Sequence, residues 1–381
     1  MRVAKIISLI VLLIITGTGY GQDVFSDINT LTIPAEGKII LEIRTPQNLR
    51  CDILVETHAK NTVDIEYRKW ARAKSLDRGK RFVNLIEIQL DDKSRDKQGL
   101  RLKVLAPTKA PWEGTDYGIG LDLDIKVPEN FIINSHSSYG AIELIGPFKG
   151  TEVYNEYGSI EIENVKGALV VKASYSQVEL LDIEGTVLIE TQYEGISGED
   201  ITITDGPGIF ETSYGPVNLK KIIGSVEAYT GYGPINVSDI DAGTGSIVLT
   251  TSYSPVKAEN ITGEIICKTS YGPINMENIR LTGGMSKIET KYAPINIAIN
   301  NINDTQLLIN NIYNSINVFF ESDISAKLLL AVDEGGKIHT QGFSIKPITM
   351  DKTRLVGIVG DGRSKIELNI DGIGEINIKS K

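Results

Sequence analysis

The middle of the chain repeats one short pattern of apolar and polar positions, and each repeat is marked by a tyrosine. Counted from the tyrosine, position +3 is always Ile or Val, position +5 is mostly apolar, and position +4 between them is polar. Side chains alternate between the two faces of a strand, so this period of two predicts a strand with one buried face. The ten marking tyrosines are Tyr139, Tyr157, Tyr175, Tyr193, Tyr214, Tyr232, Tyr253, Tyr271, Tyr292 and Tyr313.

Two strands and two corners make up each repeat. A second alternating strand leads into the tyrosine, as in Val187, Ile189 and Thr191. The corner between the strands often has the form Asn-x-x-Gly, as from Asn260 to Gly263, and both residue types tolerate the positive φ of a sharp turn. The tyrosines are spaced by 18 or 21 residues, and a fixed period of this length is typical of a solenoid.

The predicted fold is therefore all-β: a single-chain parallel β-solenoid of 18–21-residue coils. A left-handed hexapeptide helix would also give an 18-residue coil, but it needs an aliphatic residue at position +9. That position is polar in most repeats, as in Lys166, Glu184 and Thr262, which favours a right-handed β-helix of another type.

The two ends of the chain lack the regular repeat. Residues 22–130 alternate in the manner of strands, with long polar connections at Arg72–Arg81 and Asp91–Gln98, and they predict an N-terminal antiparallel β cap. Residues 131–320 hold the regular coils, and residues 321–381 hold irregular coils that form the opposite cap. Because no composition typical of a linker separates these parts, we expect caps and coils to be continuous.

Residues 1–21 have the outline of a secretory signal peptide. Arg2 and Lys5 precede an apolar run from Ile6 to Ile15, and small residues follow it. The run is shorter than the roughly 20 residues that span a bilayer, so cleavage is favoured over an uncleaved anchor. We therefore expect an exported protein of the periplasm or cell surface, with no transmembrane helix after signal removal.

Composition and charge exclude several classes of protein. The formal net charge is −10, which argues against a nucleic-acid partner. The three histidines and two cysteines lie far apart in the sequence, in no metal-binding spacing, so no metal or other cofactor is predicted. Cys51 and Cys267 could pair in an oxidising compartment, but their alternation favours two small buried side chains.

The outward +4 positions supply the candidate binding residues. They are Asn218, Asn236, Asn275, Asn296 and Asn317 in the later coils, and Glu143, Glu161 and Glu179 in the earlier ones. The asparagines could offer a polar strip to a glycan, or they could simply be solvated while bonding one another. The glutamates would repel one another if stacked, which could invite Ca²⁺ or a basic partner, or they could form a solvated acidic face.

The tyrosines admit two interpretations. They could form an exposed aromatic strip that stacks on sugar rings, or a structural ladder. Their position shares the parity of the inward-facing Thr, Val and Ile residues, which favours rings buried in the coil with hydroxyls near a corner.

The repeats resemble the bacterial putative-adhesin family of secreted β-solenoid domains, also described as auto-transporter adhesin head-like. The resemblance covers residues 120–381, from Val127-Pro128-Glu129-Asn130 through the Tyr-Gly-x-Ile units to Ile376-Asn377-Ile378. It implies a secreted β-solenoid with an adhesion role and no catalytic residues.

Three functions remain open on the sequence. The favoured hypothesis is an exported, non-enzymatic cell-envelope protein that acts as an adhesin or surface-binding module, with a glycan as partner. The second is an envelope scaffold or stress-signalling component that binds another envelope protein. The third is a polysaccharide-active β-helix enzyme, which is disfavoured because the corner insertions reach only about three residues and cannot wall a cleft.

Overall fold

The computed structural model describes residues 23–91, 98–113, 115, 118–302 and 304–381. Strands dominate this part of the chain, and a single α-helix accompanies them, so the prediction of an all-β protein is confirmed. The predicted signal peptide lies outside the described residues. No helix in the described segments has the length and apolar character needed to cross a bilayer.

The chain divides into two compact units, an N-terminal unit of Met1–Gly185 and a C-terminal unit of Thr186–Lys381. The strands of the N-terminal unit are β1 (Asp23–Pro34), β2 (Ile40–Arg44), β3 (Arg50–His58), β4 (Thr62–Ala73), β5 (Glu87–Asp91), β6 (Gly99–Leu105), β7 (Gly118–Pro128), β8 (Ile132–His136), β9 (Ile142–Tyr157), β10 (Ile160–Tyr175) and β11 (Val178–Gly185). The helix α1 (Leu76–Val83) lies between β4 and β5.

The region predicted as an antiparallel cap is a mixed sheet. Strand β4 pairs antiparallel with β1 and β7, and β5 pairs antiparallel with β6. Strand β2, however, pairs parallel with β6 and β8, and β3 pairs parallel with β7 and β9. The prediction was wrong in this respect because alternation reveals a strand and its buried face, but not the direction of its neighbours.

The helix α1 falls in a segment that was predicted to be a polar connection. Ser75 caps its N-terminus by accepting a hydrogen bond from the Arg78 backbone N–H. Its buried Phe82 packs edge-on against Trp112, with 5.9 Å between ring centroids. The many charges of this segment concealed the two apolar residues that anchor it.

The C-terminal unit contains most of the repeats. Its strands are β12 (Val187–Glu190), β13 (Ile196–Ile203), β14 (Gly208–Thr212), β15 (Val217–Ile223), β16 (Val226–Thr230), β17 (Ile235–Thr250), β18 (Val256–Lys268), β19 (Ile274–Leu281), β20 (Met285–Glu289), β21 (Ile295–Ile302), β22 (Gln306–Asn311), β23 (Ile316–Phe320), β24 (Ala326–Val332), β25 (Lys337–Gln341), β26 (Lys346–Met350), β27 (Arg354–Val359), β28 (Ser364–Ile370) and β29 (Glu375–Ser380).

Successive repeats pair in parallel, and the tyrosine spacing is the pairing offset. Strands β13, β15, β17, β18, β19, β21, β23 and β29 form one continuous parallel series. Residues at equal distance from their tyrosines become partners, as in Asn218 with Asn236 and Asn275 with Asn296. The irregular C-terminal strands break this rule, because β27 pairs antiparallel with β24 and β26.

The predicted inward positions form the core. Every +3 residue, from Ile142 to Ile316, is at most 1% exposed. Cys51 and Cys267 are free and buried, in agreement with their interpretation as small core side chains. Burial raises the pKa of both thiols, so they are poor nucleophiles.

The Asn-x-x-Gly corners have the backbone that their sequence predicts. Asn164 and Asn260 adopt φ values of 58° and 57°, and Gly167 and Gly263 also have positive φ. Asp182, Asp200 and Asp239 take the same conformation at equivalent positions in other repeats. Short polar side chains tolerate this left-handed region better than other non-glycine residues.

A buried threonine organises the other corner. Thr230, two residues before Tyr232, donates its hydroxyl hydrogen to the Gly215 carbonyl at 3.1 Å and accepts from the Gly233 N–H at 3.0 Å. Thr212 bonds the Glu194 carbonyl and the Gly215 N–H in the same way. These hydroxyls pair backbone groups that the turn removes from the strand ladder.

Replacing Thr230 by valine tests this role of the buried hydroxyl. The variant Thr230→Val keeps the side-chain shape but leaves the Gly233 N–H and Gly215 carbonyl without this partner, so we expect a loss of about 1–3 kcal/mol in the free energy of unfolding. Urea denaturation measures it. Thr262→Val is the matched control, because Thr262 is half-buried on β18 and its hydroxyl has no hydrogen bond within the described residues. Equal effects of the two substitutions would contradict the assignment.

Candidate functional site

The five predicted asparagines come together on the outer face of the C-terminal unit. The Asn236 side-chain N–H donates to the Asn218 oxygen at 2.9 Å. Asn296 donates to Asn275 at 2.9 Å, and Asn317 donates to Asn296 at 2.8 Å. Asn377, which was not among the predicted site residues, extends the series by donating to Asn317 at 2.9 Å. We call Asn218, Asn236, Asn275, Asn296, Asn317 and Asn377 the asparagine row.

The asparagine row lies in a shallow trough along the strand face. One part of the trough, from Ser197 to Glu277, has a volume of about 540 Å³, and the next, from Asn275 to Lys379, about 580 Å³. Both parts are lined by Asn275 and Glu277, so the trough is continuous between them. Its second outward row is formed by the +6 residues, namely Glu199, Lys220, Ser238, Glu259, Glu277, Ala298 and Phe319.

Each amide of the row keeps hydrogen-bonding capacity for a ligand. A carboxamide has two N–H donors and an oxygen with two lone pairs. Asn296 uses one N–H to bond Asn275 and one lone pair to accept from Asn317. One donor and one acceptor therefore remain, and the ladder fixes their orientation. The same holds for Asn317 between Asn296 and Asn377.

Lys257 interrupts the asparagine row. Its strand position pairs with Asn236 on one side and with Asn275 on the other. An ammonium group cannot accept a hydrogen bond, so the Asn275 amide has no ladder acceptor in this direction. The row is thus split into Asn218–Asn236 and a longer run of four asparagines from Asn275 to Asn377.

Ion pairs occupy one end of the trough. The Glu199 carboxylate lies 2.8 Å from the Lys221 ammonium and 3.0 Å from that of Lys220. These hydrogen bonds, that of Lys221 first, lower the pKa of Glu199. Glu199 consequently stays ionised and committed to its lysines, and solvent screening keeps such exposed pairs weak in energetic terms.

The predicted glutamates align in the N-terminal unit. Glu161 is the strand partner of Glu143 on one side and of Glu179 on the other, and all three side chains are exposed. The Gln177 amide donates to Glu179 at 2.7 Å. Within the described residues, no group of three or more His, Cys, Asp or Glu side chains is arranged to hold a metal ion. The glutamates thus form a solvent-facing acidic row.

The tyrosines stack, but they are not buried. In the C-terminal unit seven rings, from Tyr193 to Tyr313, lie 4.9–5.5 Å apart and within 17° of parallel. Their exposed fractions run from 43% to 57%. Tyr139, Tyr157 and Tyr175 form a similar stack in the N-terminal unit. The prediction of inward-facing rings was wrong, although the prediction of a ladder was correct.

The error has a local cause. Alternation along β14 places Thr212 inward, and the next inward position would be that of Tyr214. The strand ends at Thr212, however, and the chain turns before Tyr214, so the period of two no longer applies. Because neighbouring rings cover one another's faces, the stack offers ring edges and hydroxyls to solvent, and few ring faces on which a sugar could stack.

Sequence reasoning missed three contributors to this surface. Thr212 and Thr230 hold the tyrosine corner, and their signal was a Thr two residues before the tyrosine in successive repeats. Asn377 was quoted only as part of a closing strand, although Ile376-Asn377-Ile378 matches the +3 to +5 pattern. The structure pairs Asn377 with Asn317 although no tyrosine marks its coil.

Comparison with known proteins gives distant structural neighbours. No family model matches the chain, and no curated protein matches it. A putative cell adhesion protein from Clostridium sporogenes is 11% identical, over 93% of this chain and 100% of its own, with a TM-score of 0.22. A putative adhesin from Bacteroides fragilis is 11% identical, over 93% and 97%, with a TM-score of 0.18. These names agree with the adhesin resemblance of the repeats, but TM-scores this low leave function to be argued from the chain itself.

The exposed tyrosine stack should contribute to stability through its rings and not through its hydroxyls. Tyr253 stacks on Tyr232 at 4.9 Å and on Tyr271 at 5.3 Å. Its hydroxyl has no hydrogen bond to the described residues. We expect Tyr253→Ala to lower the free energy of unfolding by about 1–3 kcal/mol, and Tyr253→Phe to change it by less than about 0.5 kcal/mol. Thermal and urea unfolding compare the two, and equal losses would contradict a ring-stacking contribution.

Proposed function

We propose that this chain is an exported, non-enzymatic binding protein of the cell envelope, of the adhesin type, and that its asparagine row is the surface that binds a glycan. The observation that carries the proposal is the ladder of side-chain amides, which presents one oriented donor and acceptor per coil along the trough. Arrays of fixed, uncharged donors and acceptors match the hydroxyl groups of a carbohydrate.

We further propose that both units are built from coils of a right-handed β-solenoid. In-register parallel pairing over repeats of 18 or 21 residues supports this, because a solenoid places equivalent residues of successive coils side by side. Export is supported by the leader-like character of residues 1–21 and by the family resemblance of the repeats.

A binding role rather than catalysis follows from the shape and charge of the trough. Its lining comes from outward residues of neighbouring strands, and the insertions at Asp205–Pro207 and Ala242–Thr244 form short turns. Glu199 is paired with two lysines. Such a surface suits contact along a ligand more than enclosure of one scissile bond.

A glycan array probed with the mature protein tests the proposal, followed by affinity measurements on two variants. Asn296→Ala removes an amide from the row, and we expect it to weaken binding of the array-positive glycan about tenfold. Asn310→Ala is the matched control, because Asn310 also bonds two neighbours, Glu289 at 2.9 Å and Asn369 at 3.2 Å, but lies outside the trough. We expect its affinity to remain within about twofold of the parent.

Two results would overturn the assignment. Equal loss of affinity in both variants would show that the asparagine row is not the binding surface. A blank array, together with capture of one defined envelope protein, would favour the alternative of an envelope scaffold. Release of reducing ends from a polysaccharide panel would instead support an enzyme.

A further inference from the structure

We infer that the ligand of the asparagine row is a neutral, extended polysaccharide that runs parallel to the series of strands, so that successive sugars meet successive coils. This inference rests on the proposed function and adds the ligand's charge, its orientation and the number of sugars in contact. It follows from the repetition, direction and interruption of the amide ladder, and from the charges beside it.

The spacing of the row suits a linear polymer. Adjacent parallel strands lie about 4.8 Å apart, so equivalent amides recur at that interval. An extended chain of (1→4)-linked pyranose rings advances by a similar distance per sugar. Asn275, Asn296, Asn317 and Asn377 are strand partners in turn, so a chain in this orientation meets the same donor and acceptor at each sugar.

The amide ladder also has a direction. In every pair the later residue donates its N–H to the oxygen of the earlier one, as in Asn317 to Asn296 and Asn377 to Asn317. The unused donors and acceptors therefore repeat with one polarity. A polysaccharide has chemically different ends, so the row should hold it in one orientation.

The charges of the trough disfavour an anionic polymer. Glu259 and Glu277 are exposed beside the row, and the whole chain has a formal net charge of −10. Lys220 is engaged by Glu199. Lys257 is the remaining cation of the Ser197–Glu277 part of the trough. A uronic-acid polymer would meet repulsion at successive coils, whereas a neutral one would not.

Lys257 sets the length of the uninterrupted contact. Four asparagines follow it without a break, from Asn275 to Asn377. Contacts should therefore accumulate up to a tetrasaccharide. A longer chain must cross Lys257, where no side-chain amide supplies the donor and acceptor pair. Replacing this lysine with asparagine would join the two parts of the row.

The test measures affinity against chain length by calorimetry on the mature full chain. The probes are β-(1→4)-linked glucose and N-acetylglucosamine oligosaccharides of two to six sugars, with (1→4)-linked uronate oligosaccharides as the anionic series. We expect affinity for a neutral series to rise about two- to tenfold per added sugar up to four and then to level off. The uronate series should bind more weakly at every length.

The variant Lys257→Asn sharpens the test, since it places at one coil the residue that the neighbouring coils already carry. We expect it to raise affinity for the hexasaccharide by about two- to tenfold while leaving the tetrasaccharide unchanged. Affinity that is independent of length, stronger uronate binding, or no gain from this variant would overturn the inference. So would failure of both neutral series when the array is positive for another glycan; the proposed function would survive these outcomes and falls only if no glycan binds.

Discussion

The structure depends on one constraint, the in-register parallel pairing of each strand with the equivalent strand of the next repeat. Pairing of this kind converts a position in the sequence into a row in space, because residues at equal distance from their tyrosines become neighbours. The buried rows of Ile and Val form the core. The outward rows form the asparagine ladder, the acidic row and the tyrosine stacks. A one-residue slip would turn every row to the opposite face.

The corners decide which rows reach solvent. Left-handed residues such as Asn260 turn the chain after the first strand. Buried threonines such as Thr230 turn it after the second, by bonding backbone groups that lack strand partners. Because the strand stops at the threonine, Tyr232 stands outside the core and stacks on the exposed rings of its neighbours. Stabilisation by the tyrosines and the presence of an open polar trough are thus separate consequences of the same coil.

The sequence allows the regular strands, the buried +3 and +5 positions and the asparagine row to be predicted, because each depends only on local alternation and on the repeat length. It does not reveal the direction of strands β2 and β3, which depends on partners remote in sequence. Helix α1 was missed because two apolar residues, Phe82 and Val83, anchor a highly charged segment. The orientation of Tyr214 was mispredicted because one residue, Thr212, ends the alternation. Asn377 was overlooked because no tyrosine marks its coil.

The register of the asparagine row is tested most directly by disulfide formation between paired cysteines. Asn275 and Asn296 are strand partners, so their Cα atoms should lie about 5 Å apart, within the range of a disulfide. Asn275 and Ala298 are offset by two residues, which gives about 8 Å, outside that range. The native thiols are buried and should not compete. Rapid oxidation of the double variant Asn275→Cys, Asn296→Cys, with none for Asn275→Cys, Ala298→Cys, is the result that in-register stacking predicts. The opposite preference, or equal oxidation of both, would contradict it.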